Sequence, residues 1–115
     1  MKLIIAHLPN DAFEQARTEL NDLGVLRITI AEVHSACTQS PIALRYRGVS
    51  MHTHLRSELR LECVASDGQS PPVVHALRAL AGVKGQVAVL DLEQLHQDGA
   101  DEHVYQADPR LGVAV

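Results

Sequence analysis

The chain has 115 residues, 46% of them apolar and only 3% aromatic, and a formal net charge of -4. That is one domain with an aliphatic core, and without a basic stripe it argues against a nucleic-acid partner, because phosphate binding needs clustered Lys and Arg. No apolar run approaches the roughly 18 residues of a membrane span and no signal peptide opens the chain. A cytoplasmic protein without membrane insertion is expected, and Cys37 and Cys63 are too few for a disulfide framework.

Lys2 to Leu8 is an apolar run rich in β-formers, closed by the turn signal Pro9-Asn10. It predicts a central strand. Asn10 or Asp11 is placed to cap a helix in which Phe13, Ala16, Leu20 and Leu23 recur at helical spacing, with Gly24 at the C-cap position. Val25 to Val33 predicts the second strand. From His34 to Ile42 the pattern is lost, and Ser35, Thr38, Gln39, Ser40 and Pro41 are loop chemistry.

Arg45 to Val64 organises the rest. Its second half alternates: Leu59, Leu61 and Cys63 point one way, and Glu58, Arg60 and Glu62 the other. That is the period of a half-buried strand, predicted over about 56–65. Its first half does not alternate and reads as the returning arm of a long loop over 34–55. Asp67-Gly68-Gln69-Ser70 is a turn. Ser70 is expected to cap a second helix opened by Pro71 and Pro72, striped by Val73, Val74, Leu77, Leu80 and Ala81, and ended by Gly82. Val83-Lys84-Gly85 then leads into a fourth strand, Gln86 to Leu92. The polar stretch after His96 is expected to be a tail, with Val104-Tyr105 able to add a short strand.

The order β-α-β-loop-β-α-β predicts an α+β, ferredoxin-like domain over residues 1–95, with a long loop between strands two and three and a tail over 96–115. Both helices would cover one face of the sheet. If the other face is apolar, another subunit must bury it.

The topology and several residue matches resemble the PII signal-transduction family. Thr29, Glu32-Val33, Tyr46-Arg47-Gly48 and Leu61-Glu62 followed by Val64 stand at the family's positions with no gap from the N-terminus. Leu20 and Gly24 also fit, as do Val89 and Asp91 after a deletion of about four residues. The resemblance implies a homotrimer without enzymatic activity. An adenine nucleotide (ADP, AMP or ATP) would sit in each cleft between subunits. The long loop, called the T-loop, would report its state to a membrane transporter or an enzyme.

Carried over position by position, Thr29 would touch the adenine, with Glu62 and Val64 near the base. Cys37 stands at the loop root, and Gln39 aligns with the glutamine that organises Mg-ATP and 2-oxoglutarate. Arg47 belongs to the matched loop segment. Lys84, Gly85 and Gln86 occupy the short phosphate-cradling loop, where backbone N–H groups point at an anion.

The sequence also departs from the family pattern. One glycine of the phosphate loop is missing, the two arginines after the last strand have no match, and the loop-root glycine is Cys37. Glu58 stands where the family has a lysine, and Met51 where it has the modified tyrosine, which excludes uridylylation there. With this loss of positive charge the resemblance implies a divergent PII-like protein whose ligand is ADP, AMP or a small anion such as bicarbonate.

A different reading rests on Met51-His52-Thr53-His54. Two imidazoles at i and i+2 share one face of an extended strand. With His34, Cys37 or Met51, His52 and His54 could hold a divalent metal such as Zn²⁺, Ni²⁺ or Cu²⁺. The protein would then be a metal-responsive PII-like regulator linked to metal export. The plain alternative is two solvent-facing histidines on a mobile arm. Arg45, Arg47 and Arg56 could grip an anion or an acidic partner surface, or simply be solvated. Cys63 reads as core, His75 as surface. His7 could face the cleft or close the sheet edge. No nucleophile motif such as G-x-S-x-G is present.

Overall fold

A computed structural model of the chain describes residues 1–38, 42–46, 48–53 and 55–96. Strand β1 spans Lys2–Leu8. A 3-10 turn at Asn10–Ala12 leads into helix α1, Phe13–Asp22. Strands β2 (Ile28–Ala36), β3 (Ile42–Tyr46), β4 (Val49–Thr53) and β5 (Leu55–Ala65) follow, then helix α2 (Ser70–Ala81) and strand β6 (Gln86–Asp91). The main sheet has the order β2-β5-β1-β6, and every neighbouring pair is antiparallel. That order agrees with the ferredoxin-like arrangement expected from the sequence.

Register sorts the sheet into two faces. Ile4 stands opposite Cys63, Ala6 opposite Leu61, and Leu8 opposite Leu59. These side chains are buried with Ala16 and Leu20 of α1 and Val73 and Leu77 of α2 in one core. The alternate residues turn the other way: Leu3 is opposite Val64 and Leu90, and Ile5 opposite Glu62 and Ala88. On this second face Leu3, Ile5 and Val64 are partly covered, while Leu90 is 46% exposed.

The connection after α1 corrects the expected second strand. Gly24 adopts a φ of 87°. Its N–H donates to the Asn21 carbonyl at 3.0 Å, and the Val25 N–H donates to the Leu20 carbonyl at 2.8 Å. This is the Schellman closure, and it occupies Val25 with the helix end rather than with a strand. β2 therefore starts at Ile28, not Val25, and runs on to Ala36, past the expected end at Val33.

The capping residues differ from expectation too. Neither Asn10 nor Ser70 makes a side-chain cap bond. Asn10 Nδ2 instead donates to Ser57, at 3.2 Å to its Oγ and 3.4 Å to its carbonyl. For α2 the box lies one turn earlier. The Gln69 N–H donates to Ser66 Oγ at 3.1 Å, and the Ser66 N–H donates to Gln69 Oε1 at 3.0 Å. Gln69 Nε2 also donates to the Gly24 carbonyl at 3.2 Å, joining the end of α1 to the start of α2.

The long connection is more regular than its sequence suggests. β2 and β5 stay paired from Val33 opposite Glu58 to Ala36 opposite Leu55. β1 has already ended, at Leu8 opposite Leu59. Beyond that extension β3 and β4 form a separate two-stranded ribbon, from Ile42 opposite Thr53 to Tyr46 opposite Val49. A patternless loop over 34–55 is thus replaced by a sheet extension and a hairpin. The sheet's register to the core does not govern a separate ribbon, so no clean alternation marks it. Among the described residues no helix is long and apolar enough to cross a membrane.

Candidate functional site

A cleft of about 680 Å³ opens where β2 begins and β5 ends. Its lining includes Thr29, Glu62 and Val64, three of the residues singled out in the sequence, together with Leu3, Arg27 and His96. The grouping follows from pairing: Thr29 stands directly opposite Glu62 in the β2–β5 ladder. The Schellman turn brings Gly24 and Val25 to the same rim. Period two puts Glu62 and Val64 on the helix-free face, and a salt bridge of 2.9 Å from Arg60 holds the Glu62 carboxylate. The cleft therefore offers apolar walls with the hydroxyls of Thr29 and Ser66, the carboxylates of Glu62 and Asp67, and Arg27, Gln69 and His96 as its polar groups. Such a lining suits a flat, partly polar ring whose edge donates and accepts hydrogen bonds.

Lys84, Gly85 and Gln86 are not part of this cleft. Lys84 and Gly85 lie in the turn between α2 and β6, and Gln86 opens β6, at the opposite edge of the sheet from β2. Three strand spacings of about 4.8 Å put β6 about 14 Å from β2 across the sheet. Gly85 borders a second hollow of about 580 Å³ with His75, Arg78 and Val87, on the helix side. Its identity has a steric reason. A Cβ there would sit 2.4 Å from Ala81 Cβ and 2.5 Å from the Ala81 carbonyl oxygen. Only a glycine lets the turn close on the end of α2.

Cys37 is exposed just past β2. Gln39, Arg47 and His54 lie outside the described residues, as does the Val104-Tyr105 segment. His52 is in β4, opposite Ala43, and its side chain is not among those described. Among the described residues no three His, Cys, Asp or Glu side chains gather as a metal site would require. Cys63 is core, as expected, and burial pushes its thiol up to about 11.

Sequence reasoning missed a cluster at the other end of the helix-free face. Glu58, noted only as a departure, is 9% exposed. Its Oε1 lies 2.9 Å from His7 Nδ1 and also accepts from Ser35 Oγ. Burial pushes the carboxyl up, but the bonds from Ser35 and His7 and the charges of His7 and Arg56 outweigh it and hold Glu58 below its ordinary value. The available signal was the alternation of β5, which sets Glu58 and Arg60 on one face, together with Arg60 opposite His7.

No family model matches the chain. Over 101 residues it is 26% identical to the nitrogen regulatory protein GlnK2 of Haloferax mediterranei, a match covering 84% of this chain and 82% of that protein. This distant similarity agrees with the PII resemblance of the sequence. It extends over both edges of the sheet and the arm between them, since 84% of the chain cannot omit either.

Proposed function

We propose that this chain is a non-enzymatic, PII-like regulator. It binds a small effector between subunits and signals through the arm that β2 and β5 carry out of the sheet. The observation that carries the reading is the cleft at Thr29, Glu62 and Val64, formed by the same residues that match the family. The distant similarity to a nitrogen regulatory protein supports it.

The effector is an adenine nucleotide. Its base enters the cleft beside Thr29, and its phosphates meet the Lys84-Gly85-Gln86 turn. These two groups of residues occupy opposite edges of one sheet, so a symmetric ring that sets one chain's β2 edge beside its neighbour's β6 edge completes each site. The apolar helix-free face, with Leu3, Ile5, Val64 and Leu90, is the surface that a homotrimer buries. Glu58 and Glu62 lower the positive charge of the site, so ADP or AMP, alone or with a small anion such as bicarbonate, binds better than ATP. The target is a transporter or enzyme met in the cytoplasm. An effector signals only if it binds the two states of the arm unequally.

Calorimetric titration of the purified protein with ADP, AMP and ATP, with and without bicarbonate, tests this reading. Micromolar binding of at least one nucleotide is expected. No heat with any of them refutes the nucleotide reading.

A further inference from the structure

The arm leaves the sheet through a two-stranded neck, and one carboxylate ties that neck to the body. Val33 to Ala36 of β2 pair with Leu55 to Glu58 of β5 beyond the end of β1. A two-stranded ribbon alone is marginal in water. Asn10 ties it to the body through Ser57, and His7 through Glu58. Ser35, one residue before the end of β2, binds the same Glu58 oxygen as His7. One oxygen atom thus joins the outgoing limb of the arm, the returning limb and the central strand.

We infer that His7, Glu58 and Ser35 form a proton-sensitive clasp that sets how firmly the root of the arm is held. Histidine is the side chain that changes charge between about pH 5 and 8. Nδ1–H donates to Glu58 in one neutral tautomer and in the cation, and the cation makes the shorter, stronger, charge-assisted bond. Glu58 stays ionised through this range, so protonation of His7 tightens the clasp.

The other charged groups on this face are few. On β5, Arg56 and Arg60 oppose a charge on His7, and Arg60 is itself engaged by Glu62. From β6, Gln86 stands opposite His7 and is uncharged. From β2, Val33, Ser35 and Ala31 face the cluster without charge. Glu32 and His34 of β2 point to the other face, and Asp11 of the 3-10 turn and Lys84 of the turn before β6 lie outside the ladder. The nearest countercharge to His7 is therefore the carboxylate that it contacts.

The test is a pH titration of the full chain by NMR, from pH 8 to pH 5.5, following the His7 ring and the backbone amides of Ser35 and Ser57. The amides are expected to shift with the same midpoint as the His7 ring. His7→Gln keeps a donor but no titration, and should flatten the amide curves. Ser35→Ala leaves His7 and Glu58 in contact, so the ring still responds while the amide response at position 35 falls at least twofold. Root amides that stay still in the wild type, or that titrate equally in His7→Gln, overturn the clasp. Should His7→Gln not fold, an undiminished response in Ser35→Ala overturns it equally.

Discussion

His7 Nδ1 lies 2.9 Å from Glu58 Oε1, and the two residues sit on neighbouring strands 51 positions apart in the chain. A buried carboxylate with two donors is a stability element as well as a tie to the arm. Its carboxyl is held below the ordinary value, so its contribution is present at neutral pH and is lost as pH falls through the folded-state value. Glu58→Gln should destabilise the protein by about 1–3 kcal/mol at pH 7, the range for a buried group that loses a charged partner. Urea unfolding of both proteins checks this. The gap between them should narrow as pH falls below 4.5, where the unfolded carboxyl is protonated.

Gly85 answers to packing whether or not an anion binds there. Its missing side chain leaves room for Ala81, whose Cβ would be 2.4 Å from any added Cβ. Gly85→Ala should cost about 1–3 kcal/mol by overpacking. Thermal unfolding without ligand reads this directly, separately from any loss of binding.

The two faces of the sheet should respond to opposite kinds of substitution. Leu61 is fully buried beneath the helices, so Leu61→Ala should cost about 2–5 kcal/mol. Leu90 is 46% exposed on the helix-free face. Leu90→Glu should leave the fold intact but shift the proposed trimer to monomer in sedimentation velocity. A monomeric wild type would remove the need for a covered face.

Cysteine chemistry separates core from arm. Cys63 has its thiol pushed to about 11 by burial, whereas Cys37 is exposed. A maleimide at pH 7.5 should label Cys37 within minutes and Cys63 only after unfolding, because the thiolate is the reactive form. Mass spectrometry of peptides resolves the two sites.

These residues also show how much the sequence could tell. Period two in Leu59, Leu61 and Cys63, and period 3.6 in Ala16–Leu20 and Val73–Leu77, report burial against one layer, so β5, α1 and α2 were legible. The extension of β2 was not. Its outer residues, from Glu32 to Ala36, alternate no apolar face over the core, and only the length of β5 reveals that they remain paired. Alternation set Glu58 away from the core, and a local pattern cannot report a partner 51 residues away. Thr29, Glu62 and Val64 were found through resemblance, and pairing across β2 and β5 explains why they lie together. The same pairing shows why Lys84–Gln86 cannot join them within one subunit's cleft.

That separation offers the most direct test. Thr29→Ala together with Glu62→Ala disables the β2 edge of the site, and Lys84→Ala the β6 edge. Each variant alone should give no binding heat with ADP at concentrations that saturate the wild type. Co-expressed in equal amounts and allowed to assemble at random, they should regain about a quarter of the wild-type stoichiometry, the chance that one site draws both intact edges. Nucleotide binding that survives in both variants, or a mixture that recovers nothing, would contradict an effector site shared between subunits.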